Sequence, residues 1–92
     1  MGEQRRLADV ALVLNERDNV ATALVDVPAG TYATGDGRAV HVPEPVRAGF
    51  KLAIAPVAAG AAVRKYGYPI GTATRDIAPG ECVHVHNLAS GV

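Results

Sequence analysis

Aromatic side chains are scarce in this chain: there is no tryptophan, one phenylalanine and three tyrosines. A core must therefore be assembled from Val, Ile, Leu and Ala, and such a core is thin, with an expected stability on the order of 5 kcal/mol. Net charge is lacking too, because nine basic and nine acidic residues cancel. That balance supplies no field for nucleic acid or for an anionic membrane, and neither is expected as a partner. Cys82 is the single cysteine, which excludes an internal disulfide and reads as a small strand residue rather than a nucleophile. The longest apolar stretch, Leu52 to Val63, is broken by Pro56 and Gly60 and falls short of the roughly 20 residues of a bilayer span. Met1 to Arg6 carries two arginines but no apolar run leading to a cleavage site, so it does not read as a signal peptide, and a cytoplasmic location is expected.

What the chain does have is punctuation. Ten glycines and six prolines are spread among valines and alanines, and no capped helical run of ten or more residues interrupts them. The expected class is all-β, short strands joined by turns. Ninety-two residues make one small domain, short for an enzyme that must enclose its own substrate, so a partner is expected. Residues 1–8 are polar and read as a loose lead-in, with the domain proper over 9–92. Val10 to Leu14 is a continuous apolar run that reads as a buried strand before the charged loop Asn15 to Asn19. Val20 to Leu24 reads equally as one helical turn or as a strand. Thr31 to Thr34, the tight-turn signal Gly35-Asp36-Gly37 and the alternating Ala39-Val40-His41-Val42 predict a hairpin. A further strand is expected from Gly49 to Ile54 and another beginning at Val63, within Ala62 to Gly67, and Gly67 and Gly71 bracket either a plain β-bend or a close approach to another strand or a ligand at Tyr68-Pro69-Ile70.

One turn pattern recurs. Asp26-Val27-Pro28-Ala29-Gly30, Pro56-Val57-Ala58-Ala59-Gly60 and Asp76-Ile77-Ala78-Pro79-Gly80 each place a branched apolar residue, two small or proline residues and a glycine. The apolar residue would anchor the end of one strand and the glycine would supply a backbone angle other residues resist. Spacings of 30 and then 20 residues are too irregular for a solenoid, so the three copies read as turn chemistry within one domain.

The stretch Val83-His84-Val85-His86-Asn87 carries the candidate chemistry. On an extended strand Val83 and Val85 would face a core, and His84 and His86 would share the opposite surface, roughly 6 to 7 Å apart. Such a pair can hold a metal ion or an anionic substrate. It is also a common pattern of merely solvated side chains.

Several motifs in order extend this reading. Asp18-Asn19-Val20-Ala21-Thr22-Ala23, Gly49-x-Lys51-Leu52-Ala53, Lys65-Tyr66-Gly67-x-x-Ile70-Gly71-x-Ala73-Thr74-x-Asp76-Ile77-x-x-Gly80 and Val83-His84-x-His86-Asn87-Leu88 together resemble the SAF domain of the altronate and galactarate dehydratase family. The resemblance covers about Ala8 to Ala89. It implies the β-clip fold of SAF domains and a role as the N-terminal part or small subunit of a metal-dependent sugar-acid dehydratase. Such an enzyme forms a 2-keto-3-deoxy acid, with the larger catalytic subunit as partner. The implied chemistry is removal of the proton beside the carboxylate, stabilisation of the enediolate by a divalent metal, by expectation iron(II) shared with that partner, and loss of the β-substituent.

The resemblance assigns His84 and His86 to catalysis and metal binding. Asn87, Lys51, Lys65, Asp18 and Asn19 become expected substrate contacts, with Arg64 a further cation for the carboxylate. Alternatives of the same architecture are a sulfolactate sulfo-lyase small subunit and a non-catalytic ligand-binding or assembly module. One departure bears on the choice: the family pattern has Gly-His-Lys where this chain has Gly49-Phe50-Lys51. If that histidine is a ligand or proton carrier, this chain lacks it.

Overall fold

The computed structural model describes residues 5–90 and is nearly all β. Its strands are β1 (Arg5–Arg6), β2 (Ala11–Leu12), β3 (Val20–Ala23), β4 (Gly30–Ala33), β5 (Ala39–Val42), β6 (Lys51–Ala53), β7 (Ala62–Lys65), β8 (Tyr68–Ala73), β9 (Cys82–Val83) and β10 (Leu88–Ser90), with one 3-10 turn at Leu7–Asp9. No helix among the described residues is long and apolar enough to cross a membrane.

A four-stranded sheet in the order β2-β3-β6-β9, antiparallel throughout, lies at the centre. Side chains alternate across a strand, so its two faces take different residues. Ala21, Ala23 and Leu52 enter one cluster with Val27, Tyr32, Val40, Val42 and Val46. Val20, Ala53 and Val83 enter a second with Val57, Val63, Ala73 and Ile77. Both faces of the sheet are therefore covered. That explains why β3 does not alternate between apolar and polar residues: Val20, Ala21 and Ala23 are all buried. The first cluster is closed by the sheet β1-β4-β5 and the second by β10-β8-β7.

The recurring turn is present in four copies rather than three. Val27 and Val46 form one isolated bridge and Val57 and Ile77 another, which brings Pro45-Val46-Arg47-Ala48-Gly49 in as the missing copy. Within each pair an aspartate serves the other member: Asp26 Oδ1 accepts from the Ala48 N–H and Asp76 Oδ1 from the Ala59 N–H, both at 2.9 Å. In the last three copies the glycine follows a residue that starts a tight turn, with Phe50, Ala61 and Glu81 N–H groups donating to the carbonyls three residues before. Gly49, Gly60 and Gly80 have φ of +89°, +85° and +92°, as a type II turn requires at its third residue.

Two expectations are corrected and two open ones are resolved. Of the run Val10 to Leu14 only Ala11 is buried, and Leu12, Val13 and Leu14 are exposed, because β2 is the edge of its sheet and has one neighbour. The lead-in is not loose over residues 5–8, since β1 pairs with β4 and Leu7 is in the core; residues 1–4 lie outside the described ones. Val20 to Leu24 resolves to strand, with Leu24 held by its N–H to the Val10 carbonyl. The bend at Tyr68-Pro69-Ile70 lies within β8, where a bulge between Val63 and Arg64 leaves Ile70 unmatched, and the close approach expected at its glycines is present: a Cβ on Gly71 would overlap the Ala89 carbonyl and one on Gly67 would press on the Asn15 side chain.

Candidate functional site

The His84–His86 segment is a turn, not an extended strand. The Asn87 N–H donates to the His84 carbonyl at 3.0 Å, closing residues 84–87 between β9 and β10. Val83 is fully buried while Val85 is 80% exposed, so the two valines do not share a face, and both histidines are exposed at the turn. Asn87 is the reason. Its Oδ1 accepts from the His84 backbone N–H at 3.0 Å and its Nδ2 donates to the Cys82 carbonyl at 2.9 Å. With no exposed surface of its own, Asn87 folds the chain back two residues after the strand and turns both imidazoles outward.

His84 meets an aromatic partner. The Phe50 ring stands edge-on to it, centroids 4.9 Å apart at 72°, a preferred geometry for an aromatic pair. Burial pushes the Cys82 thiol pKa up from its ordinary value, the charge of nearby Lys51 acting in the opposite direction, and Lys51 pairs in register with Val83. Lys51 on β6 and the exposed His84 and His86 after β9 thus lie along one side of the central sheet, whereas Asn87, expected as a substrate contact, is fully buried with both ends of its amide used by the turn.

His86 opens onto a cleft of about 400 Å3 lined by Pro43, Glu44, Pro45, Arg75, Gly80, Glu81 and Cys82. Arg75, Glu44 and Glu81 were not singled out by the sequence, which offered no link between the β5 exit and the Asp76 turn. One local signal existed. A Cβ on Gly80 would overlap the His41 carbonyl oxygen, and a glycine under that constraint marks two segments in close approach.

Asp18, Asn19 and Lys65 belong to a second locality. Asn19 Nδ2 donates to the Ala62 carbonyl at 2.9 Å and its Oδ1 accepts from the Arg64 N–H at 2.7 Å, so its amide stands in for a strand partner along β7. Asp18 accepts from the N–H groups of Tyr66 and Gly67 at 3.0 and 2.7 Å. Those two residues are the tip of the β7–β8 hairpin, with φ of 59° and 78°, as a type I′ turn demands. Asp18 therefore holds in place a tyrosine with positive φ. Lys65 Nζ lies 5.1 Å from the Tyr66 ring centroid, a cation–π distance, and Arg64 is exposed.

Among the described residues no group of three His, Cys, Asp or Glu side chains comes together as a metal site. What the turn offers a divalent ion is two exposed imidazoles, good donors for iron when neutral but fewer than a complete set of ligands. They fit a metal as a partial site to be completed from outside the described residues.

With this geometry in hand, comparison with known proteins is decisive for the family. Residues 9–91 match the family described as the altronate/galactarate dehydratase SAF domain. The chain belongs to that family. A protein named altronate dehydratase in Escherichia coli (strain K12) is 49% identical over 75 residues, 82% of this chain and 15% of that protein. Another of that name in Bacillus subtilis (strain 168) is 36% identical over 79 residues, 86% of this chain and 16% of its own length. The SAF domain described above thus spans about one sixth or less of the curated relatives it matches.

Proposed function

We propose that this SAF domain works as a part of a sugar-acid dehydratase, lending its His84–His86 turn to an active site completed by a larger catalytic chain. The observation that carries the reading is the conjunction of the family match over residues 9–91 with an outward-facing pair of imidazoles anchored by a fully buried Asn87. Two exposed imidazoles bind and orient better than they catalyse alone, so the turn positions a metal or the substrate for groups on the partner. A bound divalent metal would supply stabilisation of the enediolate formed when the proton beside the carboxylate is removed. The Phe50 ring, packed edge-on against His84, limits the rotation of that exposed imidazole.

The partner in this reading is a chain equivalent to the remaining five sixths of the relatives. Leu12, Val13, Leu14, Leu24 and Val25 support it, being exposed to between 36% and 53% along the β2 edge, where unpaired strand and apolar side chains coincide. Co-expression with such a chain tests the proposal. The pair should turn over altronate, and His84→Ala and His86→Ala should each lower turnover at least a hundredfold and reduce metal content. Unchanged metal and unchanged turnover in both variants would remove the histidines from the chemistry.

One observation favours a second reading. Phe50 occupies the position where the family resemblance expects a histidine, and its ring is packed against His84. A third imidazole next to the turn is thus replaced by a ring with no donor. A module that binds the acid or supports its partner without dehydrating would fit that loss, and Phe50→His would then raise metal affinity in the pair where the first reading expects little change.

A further inference from the structure

We propose that the cleft between Pro43–Pro45 and the Arg75–His86 segment binds the carboxylate end of a polyhydroxy acid, with Arg75 as the anchor and Glu44 and His86 as hydroxyl partners. The inference rests on the dehydratase reading only for the class of ligand; the site itself follows from the cleft.

Size comes first. About 400 Å3 lies in the range of roughly 300–1,000 Å3 that small-molecule sites occupy, and suits a six-carbon acid. The walls are fixed rather than incidental. Pro43 and Pro45 have locked φ angles and no N–H to satisfy. Opposite them Gly80 sits against the His41 carbonyl so closely that no side chain fits between, and the Gly80 N–H is itself bonded to the Ala53 carbonyl at 2.7 Å. The exit of β5 and the Asp76–Gly80 turn are thereby pinned at a set separation.

Charge comes second. Among the described residues the single salt bridge joins Arg38 and Asp36, so Arg75, which lines the cleft, is in no ion pair. Its planar fork matches a carboxylate through two parallel hydrogen bonds. Glu81 is tied to the wall, Oε1 accepting from the Ala78 N–H at 2.7 Å. Glu44, acceptor-only when ionised, and the His86 ring are suited to hydroxyl groups. Two carboxylates against one arginine also make the cleft hostile to a second negative end, so a monocarboxylate is preferred over a dicarboxylate of the same length.

The test is an amide NMR titration of the 92-residue chain with gluconate, with its neutral counterpart sorbitol and with the dicarboxylate glucarate. Gluconate should give saturable shifts at Glu81, Cys82 and His86, sorbitol none, and glucarate a dissociation constant at least fivefold higher. Arg75 is exposed, so Arg75→Gln leaves the fold intact and should weaken gluconate at least tenfold, with Arg75→Lys between. Equal shifts from sorbitol, no saturation with gluconate, or unchanged affinity in Arg75→Gln would overturn the site. The two proposals fail separately: a pair that turns over altronate with a KM indifferent to Arg75→Gln sinks the cleft alone, and gluconate binding without turnover by the pair sinks the dehydratase reading alone.

Discussion

Asn87, in the turn after β9, and Cys82, in that strand, are hydrogen-bonded neighbours with opposite kinds of polarity problem. Asn87 has no exposed surface, yet both ends of its amide are used, by the His84 N–H and the Cys82 carbonyl. Removing them strands two backbone groups beside the core, which costs about 2 kcal/mol. Asn87→Ala should therefore lower the unfolding free energy obtained from urea denaturation by that amount and, in the same sample, move the ring proton resonances of both histidines; unmoved resonances with lowered stability would separate the turn from the imidazoles. Cys82 has the reverse arrangement, a thiol whose charged form has lost solvent. Burial raises its pKa above the ordinary thiol value, the nearby Lys51 charge pulling partly the other way. A raised folded pKa means the neutral form is favoured by folding. This stabilising contribution is complete below the unfolded thiol's pKa and is lost as pH rises through the folded one. The measurable consequence is reactivity: alkylation of Cys82 by iodoacetamide at pH 8 should be slower than that of free cysteine and should accelerate only at higher pH. A rate equal to free cysteine would contradict the burial.

At the scale of elements, the turns hold the strands in place and the glycines separate two costs. Gly37 and Gly80 have nearly the same φ, +87° and +92°, but a Cβ at Gly37 meets nothing within 4 Å whereas one at Gly80 overlaps the His41 carbonyl. Gly37→Ala should then cost only the left-handed backbone penalty, about 1–2 kcal/mol, and Gly80→Ala distinctly more because β5 must move away. Thermal melts of the pair make the comparison, and equal losses would mean that the two segments are not pressed together. The same contrast explains what was legible in the residues. The β4–β5 hairpin could be read because its turn and its alternation are local, and the three turn copies because small residues surrounded the glycine. The fourth copy escaped because Arg47 is not small. That side chain is exposed, and the first position of the turn, where Arg47 stands, tolerates any residue that points to solvent. Val83-His84-Val85-His86 alternates as a strand should, but the pattern cannot report that Asn87 will bond back to Cys82. The family motifs placed the histidines, lysines and acidic residues in one list; only the fold separates the β6–β9 edge from the hairpin tip held by Asp18.

The whole molecule is two small cores divided by one sheet, and this arrangement decides how it should unfold. Neither cluster is closed without the β3-β6-β9 strands, so loss of one exposes a face of the sheet that the other depends on. Two separate transitions are therefore not available, although the sequence places most of the first cluster before residue 53 and most of the second after it. A single cooperative transition is expected, with calorimetric and van't Hoff enthalpies equal. Leu52, fully buried in the first cluster, and Ile77, 2% exposed in the second, are the residues to test it. Leu52→Ala and Ile77→Ala should each cost about 2–5 kcal/mol, and with about 4–8 °C of melting temperature per kcal/mol in a domain of this size each should shift the same transition. Tyr32, 1% exposed, is in the first cluster, while Tyr66 and Tyr68 are exposed, so tyrosine near-ultraviolet circular dichroism follows the first cluster selectively. In Ile77→Ala that signal should be lost at the same temperature as the backbone signal, even though the substitution is on the far side of the sheet. A Tyr32 transition left at its original temperature would show that the sheet does not couple its two faces.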